Sequence, residues 1–268
     1  MKPPRLGWLR RACAGCAAWL LAVGASAQES TNGFAFKDFL VAPLRIHLLT
    51  ATNEPAIHTT LTSNDVARIL GKVNRIWAQA GVTFHLESLR IEPAAGPTNY
   101  LARAEENERA TLLALRPRES LATNCFHVFY LKRIRPNGVY FNQQGIFVKD
   151  TANLRRVEGG LDEFIPRVTA HELGHALSLG HRQNVTNLMA SGTSGPWLNG
   201  DEAGWSRESA RKHPWVEPAG EVMRRAEELQ RAGRTAEARA LWQRLAAVPL
   251  DNETTRRIRR LLAGEPAR

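Results

Sequence analysis

The run His171-Glu172-Leu173-Gly174-His175-Ala176-Leu177-Ser178-Leu179-Gly180-His181 gathers three imidazoles and one carboxylate into a single short stretch. Residues four apart on an α-helix lie on one face, one turn above the other, so His171 and His175 can offer ring nitrogens to the same ion. Glu172 then sits beside the ion without ligating it. In that place a carboxylate can take a proton from a metal-held water, whose pKa zinc lowers from about 15.7 to about 7. His181 follows six residues after His175, where a chain turning sharply off the helix brings a third ligand back. This chemistry is that of a hydrolase. The other histidines carry no such pattern: His47 and His85 lie in strand-like runs, His127 follows Cys125-Phe126, and His58 and His213 sit in polar contexts.

Asn187-Leu188-Met189 supplies a methionine in a turn-prone setting beyond the third histidine. From His171 to Met189 the chain resembles the metzincin metallopeptidases, whose signature is H-E-x-x-H-x-x-G-x-x-H followed by a Met-turn. The resemblance, extending over about residues 44–213, implies a zinc metalloendopeptidase. Its Zn2+ would be held by His171, His175 and His181, with Glu172 as general base, Met189 as a hydrophobic floor beneath the ion, and a peptide or protein as substrate. The departure is at the family glycine, which is Ser178 here. That glycine lets the chain leave the helix at positive φ, a conformation costing a residue with a Cβ about 1 kcal/mol or more. Gly180 is expected to end the helix in its stead, changing the angle at which His181 approaches. No tyrosine follows Met189 to give the extra phenolic contact found in some relatives.

The elements that must carry this site follow from periodicity. Leu44–Leu49 alternates as a strand, and Thr62-Ser63-Asn64-Asp65 forms a helix-capping cluster. Val66, Ile69, Leu70, Val73, Ile76 and Trp77 then recur at helical spacing, as the buried face of a helix ending near Gly81. Strands are predicted at 82–91, 126–131, 139–143 and 145–148, with one short helix around Glu105 to Leu115. The fold class is α+β, and the resemblance implies a twisted mixed five-stranded sheet with Val139 to Gln143 as its antiparallel edge. An edge strand can pair with an extended peptide; the alternative is a hairpin arm with no partner. Pro166 suits the first turn of the active-site helix. Arg167, one turn before His171, either lines the cleft or is solvated. The 192–200 loop, with Pro196 and Trp197, is read as a wall of the cleft, and 201–212 as a closing helix on which Trp205 packs.

Composition bounds the rest. Lys2, Arg5, Arg10 and Arg11 precede an apolar stretch, Ala12 to Ala25, and Ala25-Ser26-Ala27 reads as a cleavage site, so residues 1–27 have the form of a secretory signal peptide and not a membrane anchor. The expectation is a secreted or periplasmic protein beginning near Gln28, with no stable membrane insertion. Loss of those four cations takes the formal net charge from +10 to +6. Acids and arginines are interleaved, which argues against a nucleic-acid track. Cys125 alone would remain, so no internal disulfide can form. Residues 28–43 form a short N-terminal segment, 44–213 the catalytic domain, and 219–268 a helical tail. Within the tail, helices at 221–232 and 236–247 weakly resemble one tetratricopeptide pair, with a third helix at 252–262. A lone pair is too small to be stable by itself, so the tail either docks on the catalytic domain or recruits a protein partner. The competing reading of the whole chain is a catalytically weak metzincin-fold binding protein that uses this tail.

Overall fold

The structure, a computed structural model, describes residues 35–264. The proposed signal peptide lies outside them. Along the chain run β1 (Leu40–Thr50), α1 (Ser63–Trp77), β2 (Val82–Pro93), α2 (Tyr100–Ala114), β3 (Phe126–Leu131), β4 (Gly138–Phe141), β5 (Gly145–Lys149), α3 (Phe164–Ala176), α4 (Gly200–Arg211), β6 (Glu217–Pro218), α5 (Ala219–Arg231), α6 (Thr235–Ala246) and α7 (Glu253–Ala263). The architecture is α+β with a mixed sheet in the order β2-β1-β3-β5-β4, where β4 is the antiparallel edge and the other four strands are parallel. The sheet has six strands and not five, because Glu217 and Pro218 pair antiparallel with Val41 and Leu40. Two residues are too few for alternation to reveal a strand.

β1 is central and buried on both faces, and its sequence LVAPLRIHLLT accordingly reads as a nearly continuous apolar run. It begins at Leu40, four residues before the alternation at Leu44 becomes legible. Leu40, Ala42, Leu44, Ile46 and Leu48 point into the main core with α1 and α3, while Leu49 turns to the opposite face with Phe129, Phe147 and α2. α1 starts from a capping box in which the Thr62 side chain and Asp65 satisfy each other's backbone amides, and Gly81 at φ 60° turns the chain into β2. α2 begins earlier than the sequence indicates and is kinked at Asn107, whose Oδ1 accepts from the Ala110 amide and recaps the second half. That break erases a continuous helical period.

The C-terminal helices dock on the rest of the chain. Val222, Ala226, Ala238, Trp242 and Leu245 share one apolar cluster with Phe36, Phe39 and Val41. Phe36, Phe39 and Val41 of the short N-terminal segment 28–43 are therefore part of the core. The α6 C-terminus is held to the sheet by its Ala247 carbonyl, which accepts from Thr83 Oγ1 at 2.9 Å. Among the described residues no helix is long and apolar enough to cross a membrane.

Candidate metal centre

α3 is buried along nearly its whole length against α1 and the sheet, which fixes the helix that carries His171, Glu172 and His175. Its last turn closes with the Ser178 amide donating to the His175 carbonyl at 3.0 Å and the Leu179 amide to the Gly174 carbonyl at 2.9 Å. These are the two bonds of a Schellman cap, and the residue at its left-handed position is Ser178 itself, at φ 68°. Gly180 is not the terminator, because the bonding pattern places the left-handed residue two positions earlier. The strain at Ser178 is offset by a 2.9 Å hydrogen bond between its hydroxyl and that of Ser209 on α4.

The cap returns the chain so that His181 Nε2 lies 3.1 Å from His175 Nε2, and one ring nitrogen from each of His171, His175 and His181 falls within 4.8 Å of the others. These three could hold a metal ion. His171 Nδ1 is bonded to the Leu188 carbonyl and His175 Nδ1 to the Leu179 carbonyl, each at 2.8 Å. A carbonyl can only accept, so each Nδ1 carries the proton and each Nε2 keeps its lone pair for a ligand. Burial, reinforced by the Arg167 cation, pushes His171 down to about 3, and burial lowers His175 as well. Both are neutral, as metal ligands must be.

Glu172 is 5% exposed. Burial pushes its carboxyl up to about 8, against the opposing pull of Arg167 and of a hydrogen bond from the Tyr140 backbone. β4 passes directly over it. A Cβ on Gly138 would stand 2.6 Å from Val168 Cγ1 and 2.9 Å from Glu172 Oε1, so only glycine allows the edge strand to approach the helix this closely. The cleft is lined by Gly138, Val139 and Tyr140 of β4 on one side and by Glu172, His175 and the 178–181 turn on the other.

Met189 is fully buried, with its Sδ 2.5 Å from where a Cβ on Gly174 would stand. Two buried charges of opposite sign brace the turn that bears it. Arg167, 1% exposed, donates to the carbonyls of Leu188 at 2.7 Å, Gly195 at 3.2 Å and Ala190. It is neither a cleft residue nor a solvated one. Its guanidinium fork is the one side chain shape that can satisfy several divergent carbonyls of a buried loop. Glu202, fully buried on α4, accepts from Asn187 Nδ2 at 2.7 Å and from Arg182 Nε at 2.6 Å, while Asn187 Oδ1 accepts from the Met189 amide. Sequence reasoning missed this brace. Its one legible trace is the Asn199-x-x-Glu202 spacing, which is a capping box at the start of α4.

The remaining aromatic and histidine residues are placed as follows. Trp77 is core. Trp205 is 54% exposed and stacks under the Arg182 guanidinium instead of packing inward, since α4 turns Ser206, Ser209 and Ala210 to the core. The 192–200 loop pairs with residues 155 and 186–188 and does not border the cleft. His47 and His127 bond to each other at 2.9 Å across the sheet, with Glu92 on the far nitrogen of His47. No known protein family and no curated protein matches this chain.

Proposed function

We propose that the chain is an exported zinc-dependent endopeptidase of metzincin type. The observation that carries the reading is the convergence of His171, His175 and His181 beside a non-ligating, buried Glu172. Two nitrogens bound tetrahedrally at zinc distances of about 2.0–2.1 Å stand about 3.3–3.4 Å apart, close to the 3.1 Å between His175 and His181. The donor set, three neutral imidazoles with their far nitrogens pinned to carbonyls, suits zinc and leaves a fourth position open. When bound, zinc supplies a Lewis acid that polarises a carbonyl and acidifies a water.

Glu172 would take a proton from the attacking water on its carboxylate and pass it to the departing amine, one group serving as base and then as acid. Burial raises its proton affinity, which favours holding a proton between the two transfers. The open edge of β4 aligns an extended peptide along the cleft by backbone hydrogen bonds. Export rests on the form of residues 1–27. Substituting His171 or His175 with alanine should empty the site; zinc content near one ion per chain in those variants, measured by elemental analysis, would contradict the ligand assignment. Ser178 at the family's glycine position favours a second reading, a catalytically weak binding protein of the same fold. That reading gains if the zinc-loaded chain cleaves no member of a broad peptide library.

A further inference from the structure

On the sheet edge opposite the candidate metal centre lies a groove of about 870 Å³, walled by one face of α1, the middle of β2, the end of α6 and Arg259 of α7. Four features of it lack a partner among the described residues. Gly71 lies inside α1, where glycine is unfavourable by about 1 kcal/mol relative to alanine, yet a Cβ there would meet nothing within 4 Å. No contact in the fold accounts for its bare backbone. His85 is 7% exposed and its Nε2 has no hydrogen-bond partner. Arg244 bonds to Glu217 through Nη2, but its buried Nε also lacks a partner. Arg75 is exposed, and among the described residues it has no acidic partner.

The charges of the groove are unbalanced. Among the described residues Arg259 reaches only the Leu250 carbonyl, at 3.4 Å. The two acids on the wall are already engaged, Glu87 with Arg45 at 2.7 Å and Asp251 with Arg256 at 3.5 Å. Apart from Asn74 and Gln243 the remaining lining is apolar, with Leu70, Leu86, Val248 and Leu250, and Leu86 is 40% exposed although large and hydrophobic. A buried guanidinium N–H without an acceptor is unfavourable, and an oxyanion is the group that satisfies it best. The imidazole Nε2 can present a proton or a lone pair according to tautomer, so it accommodates either oxygen of a carboxyl or phosphate.

We propose that this groove binds a small amphiphilic anion, its carboxylate or phosphate group facing Arg75, Arg244 and Arg259 and its apolar body lying across the Gly71 face of α1. The site is independent of the metal centre. Its occupant would bridge α1, β2 and the tail, so binding should also raise the melting temperature of the whole chain.

Calorimetric titration of the full chain with octanoate and with octyl phosphate tests the assignment, with octanol and inorganic phosphate as partial ligands and anionic vesicles as a separate arm. At least one amphiphile should bind saturably at a single site, with octanol and inorganic phosphate at least about tenfold weaker. Arg75→Ala should weaken binding about tenfold or more, the equivalent of one charge-assisted hydrogen bond. Gly71→Leu should do the same by filling the groove, while raising the melting temperature of the free protein through better helix propensity. That second variant separates a blocked site from a damaged fold. The proposal is overturned if neither amphiphile binds at millimolar concentration, if both variants bind undiminished, or if only the vesicles bind, which would assign the arginines to a membrane surface.

Discussion

Replacing Arg167 with methionine keeps the length of the side chain and removes the fork that holds the Met189 turn. Four carbonyls lose a donor, and that of Asn187 keeps the Ala190 amide at 3.1 Å. The Leu188 oxygen keeps the His171 Nδ1 proton at 2.8 Å, but those of Ala190 and Gly195 are left buried and unsatisfied. At about 1–3 kcal/mol per orphaned acceptor the loss is about 2–6 kcal/mol. Against it stands the desolvation of the buried guanidinium, which the variant no longer bears and which is itself worth several kcal/mol. The net destabilisation is therefore at most about 4 kcal/mol, a fall in melting temperature of up to about 15 °C for a chain of this size. Arg167→Lys should recover only part of it, because one ammonium cannot match several divergent carbonyls. The Leu188 carbonyl also orients His171, so zinc affinity, measured by chelator competition, should fall about 10–100-fold. A methionine variant that melts within about 1 °C of wild type and binds zinc equally well would show that the turn does not depend on Arg167.

Truncation after Pro218 should lower the melting temperature or cause aggregation, since it uncovers Phe39 and Val41, now 1% and 0% exposed; an unchanged melt would mean that this interface contributes nothing. Acid should destabilise the fold through its buried neutral histidines. Burial holds His47 and His85 down to about 4 and lowers His127, so the stability they confer is complete above the ordinary imidazole value near 6.5 and is lost as pH falls towards 4. The denaturant midpoint should drop across that interval, and less so in His47→Asn; equal slopes for the two proteins would contradict this.

Much of the fold was legible because its signals are local. The α1 stripe from Val66 to Trp77, the strands at β2, β3 and β5, and the tail helices all show a period within their own residues. Elements defined by distant partners were not. β6 exists only through its pairing with Leu40 and Val41, and α2 hides behind the kink at Asn107. At the candidate site the spacing of His171, Glu172, His175 and His181 pointed to residues that the fold brings together. The conformation of Ser178 was misjudged. By residue type Gly180, two residues later, is the better terminator, but the Schellman bonds choose by position along the helix end, and Ser209, far off in sequence, lends the serine a partner. Arg167 and Glu202 carry no motif of their own. Their roles depend on which carbonyls and amides a loop 15 or more residues away happens to turn inward.

The central claim is that Glu172 performs chemistry beside an ion held by the three histidines. Zinc-loaded wild type and Glu172→Ala, matched for zinc content and exposed to the same peptide library, separate binding from catalysis most directly. The wild type should cleave, and the variant should retain its zinc while cleaving about 10²–10⁴-fold more slowly. Equal rates in the two proteins would remove Glu172 from the reaction, and cleavage by neither would contradict the peptidase assignment itself.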